Sequence, residues 1–138
     1  MTSGKDEAAE TDFLTIEDLL EIANAVIPGF RIRDIGLLQS ACARPQTTVF
    51  GEMAYPTLLE QAGALMHSLG RNHPLIDGNK RLAWAGLRVF LALNGRSISY
   101  GVDEAEHLVL KVARGEIEVA DVAAWLGEHQ DGQWPPIA

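Results

Sequence analysis

The segment at residues 79–93, NKRLAWAGLRVFLAL, most constrains the fold because its side chains are apolar on nearly every face of a helix. Such a helix needs neighbours on all sides, since apolar surface left in water is unfavourable. The Asn94–Gly95 step that follows is a helix stop signal. The sequence therefore predicts a buried central helix at 79–93 with other helices packed around it.

Other segments repeat apolar residues at helical spacing behind a polar capping residue. They predict helices at 15–25, 34–43, 57–71, 103–114 and 118–128. The β-branched run TTVFG, 47–51, is the only strand candidate and is too short to found a sheet. The predicted fold class is therefore all-α, a compact helical bundle with one short β flap.

The chain length of 138 residues fits a single domain. The start, residues 1–12, is polar and acidic and is predicted to be a disordered leader. Residues 13–129 would form the domain. Residues 130–138, with the sequence QDGQWPPIA, would form a weakly structured tail.

Composition limits the compartment and the partners. The net charge of −8 argues against direct binding of nucleic acid, because phosphate backbones attract basic surfaces. A single cysteine, Cys42, excludes an internal disulfide and favours the cytoplasm. No apolar run approaches the roughly 20 residues of a membrane helix, so we expect a protein that is neither exported nor membrane-inserted.

The polar stretch NHPLIDGNKRLAW, 72–84, leads into the predicted central helix. Gly78 permits a sharp turn, and the first turn of the next helix leaves backbone N–H groups unpaired at the positive end of its dipole. Lys80 and Arg81 lie in this same turn, where cations are unfavourable. Their presence indicates that an anion binds there and neutralises them.

Two further side chains of this stretch suit chemistry on a phosphate compound. Asp77 offers the hard oxygen ligand that Mg²⁺ carried by phosphates needs. His73 is the nearby group able to take a proton near neutral pH. Taken alone, Asp77–Gly78 is also an ordinary turn and His73 an ordinary loop residue, so the residue pattern leaves a structural explanation open.

The segment HPLIDGNKRLA resembles the signature of the Fic/Doc family, and specifically its Doc (death-on-curing) toxin branch, H-x-F-x-D-[AG]-N-K-R-x-A. The resemblance extends over about residues 15–127. It also includes RDIGLLQSACARPQTTVFG, YPTLLEQAGALMHSLGRNHP and FLALNG. The implied architecture is the Fic fold.

The resemblance implies a role for each matching residue. His73 would be the general base, Asp77 would hold Mg²⁺, and Gly78 and Asn79 would form an anion hole with backbone and side-chain donors. Lys80 and Arg81 would bind the phosphates of ATP.

Two other regions complete the expected site. Arg71, just before the motif, is a further candidate phosphate contact. The segment 46–55 matches the family's flap, in which Thr47, Thr48, Val49 and Phe50 would bind the target by strand pairing.

The reaction implied is that of Doc toxins. Fic proteins that transfer AMP carry G-N-G-R-x-x-R, whereas this chain has Lys80 in place of that glycine and Trp84 in place of the second arginine. The resemblance therefore favours transfer of the γ-phosphate of ATP to a threonine of elongation factor Tu, which arrests translation. AMP transfer to a protein hydroxyl is the alternative.

Regulation is expected to come from a second protein. The nearest match to the family's inhibitory motif, SGKDEA at 3–8, ends in alanine where glycine or asparagine is expected. The resemblance thus implies a cognate antitoxin with a disordered C-terminal segment. Leu75 replaces a family phenylalanine, so a catalytically inactive Fic-fold binding module is a second alternative, and a purely structural bundle is a third.

Several residues elsewhere are not expected to act in the site. His67, His107 and His129 lack metal-ligand spacing. Arg88 is expected at the bundle surface, and Trp84 in core packing.

Overall fold

The computed structural model describes residues 10–131, which contain six α-helices. They are α1 (Ile16–Val26), α2 (Ile35–Ala43), α3 (Leu58–Asn72), α4 (Asn79–Leu93), α5 (Val102–Ala113) and α6 (Val119–Glu128). A 3₁₀ turn, Arg44–Gln46, leads into a hairpin of β1 (Thr48–Val49) and β2 (Glu52–Met53). The prediction of an all-α fold with one short β flap is confirmed.

Helix starts follow the local capping signals. Thr15 and Thr57 each accept a hydrogen bond from the third residue of their helix, while the side chains of Asp18 and Glu60 bond back to the capping residues. The polar capping residues that the sequence predicts at 15 and 57 are therefore confirmed, and each forms a reciprocal capping box. They satisfy backbone N–H groups that have no partner inside the helix.

The predicted start of α5 is wrong. The spacing of Asp103 and Glu106 is that of a capping box and predicts a helix that opens at Asp103. The carboxylate of Glu104 instead accepts from the backbone N of Gly101 at 2.8 Å, and the helix begins at Val102. Gly101 has the extended backbone that a residue before a helix adopts. Glu106 is thereby left free to line a cavity beside α4.

The bundle surrounds one buried helix, as predicted, but that helix is α3 rather than α4. Residues 61–66 and 68–70 of α3 are all buried, and α3 packs against α2, α4, α5 and α6. In contrast, Val89 and Leu93 of α4 are 40% and 49% exposed. One face of α4 thus packs in the core, while some apolar residues on its other face are partly exposed.

Small residues allow neighbouring helices to approach α3 closely. A Cβ atom added to Gly63 would lie 3.0 Å from the backbone oxygen of Val119, at the start of α6. Larger residues would push α6 away, because a packed core has no spare volume. The periodicity of apolar residues in the sequence predicts which face of a helix is buried. It does not show where a small residue such as Gly63 lets two helices approach closely.

The described part of the leader is held to the bundle. Thr11 donates to the side-chain oxygen of Gln61 at 3.0 Å, and the backbone of Asp12 exchanges hydrogen bonds of 2.8 and 2.9 Å with the Asn94 amide. The prediction of disorder for 1–12 is therefore wrong at these two residues. Residues 1–9 lie outside the described range.

The other end of the domain is paired as well. Ile98 forms an antiparallel bridge with Gln130, and the backbone N of Asp131 donates to Ser97 at 3.0 Å. The first residues of the predicted tail, 130–131, are thus attached to the domain, and 132–138 lie outside the described range. Over residues 10–131, none of the helices has both the length and the apolar surface needed to cross a bilayer.

We expect Gly63→Ala to lower the free energy of unfolding by about 1–2 kcal/mol, because the methyl group pushes against the start of α6. Gly127→Ala in α6 is the matched control, since its Cβ would meet only Leu59 at 3.8 Å. That change should stabilise by up to about 1 kcal/mol through helix propensity. Urea unfolding measures both, and equal shifts would contradict the packing explanation.

Candidate active site

The connection between α3 and α4 begins at His73, which ends α3 in a left-handed conformation with φ 53°. This backbone is rare for a residue other than glycine and is often found at functional sites. Arg33 holds it by donating from Nε to the His73 carbonyl at 2.7 Å and from Nη2 to the Asn72 carbonyl at 2.8 Å. This role of Arg33 could not be predicted from local sequence signals, because Arg33 lies 40 residues earlier in the chain.

Leu75 anchors the middle of the loop in the core, where it is only 1% exposed. The Asn79 side chain spans this residue: its Oδ1 accepts from the Leu75 backbone N at 2.8 Å, and its Nδ2 donates to the Leu75 backbone O at 2.9 Å. Ile32 forms an antiparallel bridge with Leu75 on the other side. Leucine therefore fills the anchor position that the family pattern gives to phenylalanine.

This geometry gives Asn79 a structural role besides the expected one. Its amide pairs with the loop backbone through Oδ1 and one of the two N–H groups of Nδ2. Its backbone N–H, in the first turn of α4, is a further donor for an anion.

Gly78 and Asp77 shape the start of α4. Gly78 has φ 86°, and a Cβ atom there would lie 2.7 Å from Cδ1 of Ile27, so any other residue would be strained by both the backbone conformation and this contact. The backbone N of Gly78 donates to Oδ1 of Asp77 at 2.9 Å. Within residues 10–131, this leaves the backbone N–H groups of Asn79, Lys80 and Arg81 without a hydrogen-bond partner, as expected for the first turn of a helix.

A cavity of about 1020 Å³ opens at this helix start. Its lining includes the exposed side chain of His73, together with Asp77, Gly78, Asn79, Lys80 and Arg81. The structure thus brings together the residues that the motif singled out. Arg81 also donates to the Val26 carbonyl at the end of α1, at 3.2 Å.

The far wall of the cavity contains residues that sequence reasoning had placed elsewhere. Arg88 lines the cavity and lies over the ring of Tyr100, with Cζ 5.9 Å from the ring centroid. Arg88 is exposed, as expected for a residue at the bundle surface, and the part of the surface that it occupies is the wall of this cavity. Since Arg88 follows Arg81 by seven residues, helical spacing could have placed both on one face.

Trp84 is part of the same wall. Its ring meets Tyr100 edge-on at 5.0 Å and Trp125 edge-on at 6.1 Å. Edge-to-face contacts of this kind are favourable between aromatic rings. Trp84 therefore both packs against the bundle and lines the cavity.

Arg71 lies elsewhere, contrary to its expected role as a phosphate contact. A Cβ atom added to Gly115 would lie 2.8 Å from Nε of Arg71, so the guanidinium covers Gly115 after α5. Arg71 is absent from the residues that line the cavity. Its position just before the motif is misleading, because α3 turns its side chain towards α5.

The predicted flap is an antiparallel hairpin whose two strands have two residues each. Thr48 lies opposite Met53, and Val49 lies opposite Glu52. Phe50 and Gly51 form the turn, both with positive φ. The expected target-binding residues Thr47, Thr48, Val49 and Phe50 are all exposed, and Phe50 completely so. An exposed aromatic ring in a disfavoured backbone conformation has no purpose in packing, which makes the hairpin tip a candidate contact surface.

The remaining reactive groups do not extend the site. Burial, with Asp18 and Glu17 nearby, raises the pKa of the Cys42 thiol to about 11, so it is a poor nucleophile. No cluster of three or more His, Cys, Asp or Glu side chains in residues 10–131 could hold a metal on its own. The single Asp77 carboxylate fits a Mg²⁺ whose other ligands are phosphates and water.

The helical bundle thus gathers an imidazole, a carboxylate, unpaired amides and cations at the start of one helix, and unpaired amides at a helix start are suited to binding an anion such as phosphate. The sequence model of the Fic/DOC family matches residues 13–91, more than half of the chain. The protein therefore belongs to the Fic/DOC family. It is 45% identical over 119 residues to Toxin Doc of Mycolicibacterium smegmatis (strain ATCC 700084 / mc(2)155), a match that covers 84% of this chain and 92% of that protein.

We expect Asn79→Ala to lower the free energy of unfolding by about 2–4 kcal/mol, because it leaves a buried N–H and a buried C=O of Leu75 unpaired. Asn24→Ala, at an exposed position of α1, is the control and should change stability by less than about 0.5 kcal/mol. Chemical denaturation monitored by tryptophan fluorescence gives both values. Similar values for the two variants would show that the amide does not hold the loop.

Proposed function

We propose that this protein is a Doc-type toxin that transfers the γ-phosphate of ATP to a hydroxyl of a protein target. The observation that carries the proposal is the convergence of His73, Asp77 and the first turn of α4 on one cavity. The volume, about 1020 Å³, is ample for a nucleoside triphosphate. Membership of the Fic/DOC family and the similarity to Toxin Doc support the same assignment.

The start of α4 would bind the phosphates. The amides of Asn79, Lys80 and Arg81 point out of the helix at the positive end of its dipole, and two of these residues add a charged side chain. Charge stabilisation and positioning account for most of the catalysis of phosphoryl transfer. Asp77 would hold Mg²⁺, which when bound neutralises charge on the phosphate oxygens.

His73 would act on the acceptor. It lines the cavity with an exposed imidazole, which would take the proton of the target hydroxyl as the oxygen bonds to the γ-phosphorus. The bond between that phosphorus and the bridging oxygen breaks, ADP leaves, and the proton passes from His73 to water. The fixed left-handed backbone of His73 would keep the imidazole in place between turnovers.

The position of Trp84 supports γ-phosphate transfer over AMP transfer. AMP-transferring Fic proteins carry an arginine here, whereas this tryptophan packs between Tyr100 and Trp125 and offers no cation to an α-phosphate. Lys80 replaces the small glycine of those proteins. Both differences favour the Doc type of reaction.

The hairpin would bind the target. Its exposed strands can pair with an extended peptide, and Val49 and Phe50 offer apolar contacts beside it. The resemblance to Doc toxins names a threonine of elongation factor Tu as the acceptor, which makes translation the process arrested and the cytoplasm the place of action. A cognate antitoxin with a disordered C-terminal segment would restrain the toxin.

Incubation with elongation factor Tu and Mg²⁺, with ATP labelled in parallel at the α or the γ phosphate, tests the reaction. We expect label on elongation factor Tu from the γ position alone. Label from the α position alone would establish AMP transfer instead. Label from neither position would contradict the proposed transfer and favour the alternative of a catalytically inactive Fic-fold binding module.

We expect His73→Ala to reduce transfer by about 10²–10⁴-fold, the usual contribution of a general base. His107→Ala is the matched control, because that exposed histidine of α5 lies outside the cavity lining. Two measurements compare the variants: the initial rate of phosphate transfer, and growth arrest when each variant is expressed. Both should be lost or strongly reduced in His73→Ala and retained in His107→Ala. Equal growth arrest by wild type and His73→Ala would mean that toxicity does not come from catalysis.

A further inference from the structure

The base of the hairpin is closed by a side-chain contact across it. Arg44, in the 3₁₀ turn before β1, donates from Nε to the hydroxyl of Tyr55, which follows β2, at 3.0 Å. The Arg44 guanidinium also lies over the Tyr55 ring, 5.5 Å from the ring centroid. The two chain segments that lead into and out of the hairpin are therefore joined at their base.

The same arginine attaches this base to α3. Its Nη1 lies 3.0 Å from Nδ1 of His67 and 3.2 Å from Oγ of Ser68, and Ser68 is buried. Burial, and then the charge of Arg44, lower the pKa of His67, so its ring is neutral at pH 7 and Nδ1 can accept the hydrogen bond. On the other side of the ring, Nε2 faces Glu118 at 3.8 Å.

A second contact fixes the hairpin to the same helix. The buried amide of Gln61 in α3 donates to the backbone oxygen of Tyr55 at 3.0 Å. In contrast, Val49, Phe50 and Met53 of the hairpin itself are exposed. The hairpin thus takes its orientation from contacts at its base, and all of these contacts lead to α3.

The helix that receives these contacts is the one that ends at His73. His67 and Ser68 precede His73 by six and five residues, or about 8–9 Å along the helix axis. A helix of this length in a packed core behaves as a rigid element. The distance between the hairpin and the imidazole therefore depends on how Arg44 attaches the hairpin to α3, in addition to the chain connections of the hairpin to α2 and α3.

We propose that Arg44 is a positioning residue for the protein substrate: it fixes the hairpin relative to His73, so that a target bound along the hairpin presents its hydroxyl to the imidazole. This inference rests on the proposed function. Misplacement of reacting groups by about 1 Å can cost 10²-fold in rate. Arg44 makes its contacts away from the cavity, so nucleotide binding should not depend on it.

Steady-state kinetics with elongation factor Tu as the probe separate positioning from general support of the fold. Arg44→Ala should raise the KM for elongation factor Tu, or lower kcat/KM for it, by about tenfold or more. The KM for ATP should change less than about twofold. Equal losses for both substrates would overturn the inference, because they would indicate a structural role only.

Two milder variants keep the test informative if Arg44→Ala is poorly folded. Tyr55→Phe removes only the hydroxyl, so the ring stays, and the effect on elongation factor Tu should be in the same direction and smaller. Arg44→Lys keeps the charge but cannot reach Tyr55 and Ser68 together, and should restore activity in part. Arg114→Ala, a change of an exposed arginine after α5, should leave both KM values unchanged.

Hydrogen exchange measured without any substrate tests the attachment independently of the reaction. Amides of residues 47–55 should exchange faster in Arg44→Ala and Tyr55→Phe than in wild type, while residues 79–93 stay unchanged. Unchanged exchange at the hairpin would refute the inference even if the enzyme transfers phosphate. Faster exchange with no transfer to elongation factor Tu by the wild type would instead place the failure in the proposed function.

Discussion

The pairing of the Asn79 amide with both backbone groups of Leu75 is the interaction on which the site depends. One planar side chain satisfies a donor and an acceptor that the core would otherwise leave unpaired. Leu75 is thereby held in the core, while His73 and Asp77, two residues before and two residues after it, stay exposed. The imidazole of His73 and the carboxylate of Asp77 consequently face the same cavity.

The charge distribution is consistent with a compact anionic ligand. The chain carries a net charge of −8, yet Lys80 and Arg81 occupy the first turn of α4, where the helix dipole opposes them. Arg88 adds positive charge two turns further along the same cavity. The nucleotide proposed as the ligand carries several negative charges and would compensate for this unfavourable arrangement.

Helix α3 links the two halves of the proposed reaction. Its C-terminal end holds His73, and its middle receives the base of the hairpin through Arg44 and Gln61. Close packing around Gly63 makes α3 the most enclosed helix of the bundle. Burial of this helix therefore serves geometry as well as stability, since it gives the proposed general base and the proposed target-binding hairpin a common rigid support.

The sequence alone determined the helices, their capping boxes at Thr15 and Thr57, the hairpin and the motif from His73 to Arg81, because these signals act between residues a few positions apart. It could not decide which helix lies innermost or where long side chains reach. The tertiary structure moved Arg71 away from the cavity and brought Arg88 to it. It also gave Arg44 its contacts with α3. Such side chains extend several ångströms from the backbone, so their partners are chosen by the packing of segments distant in sequence.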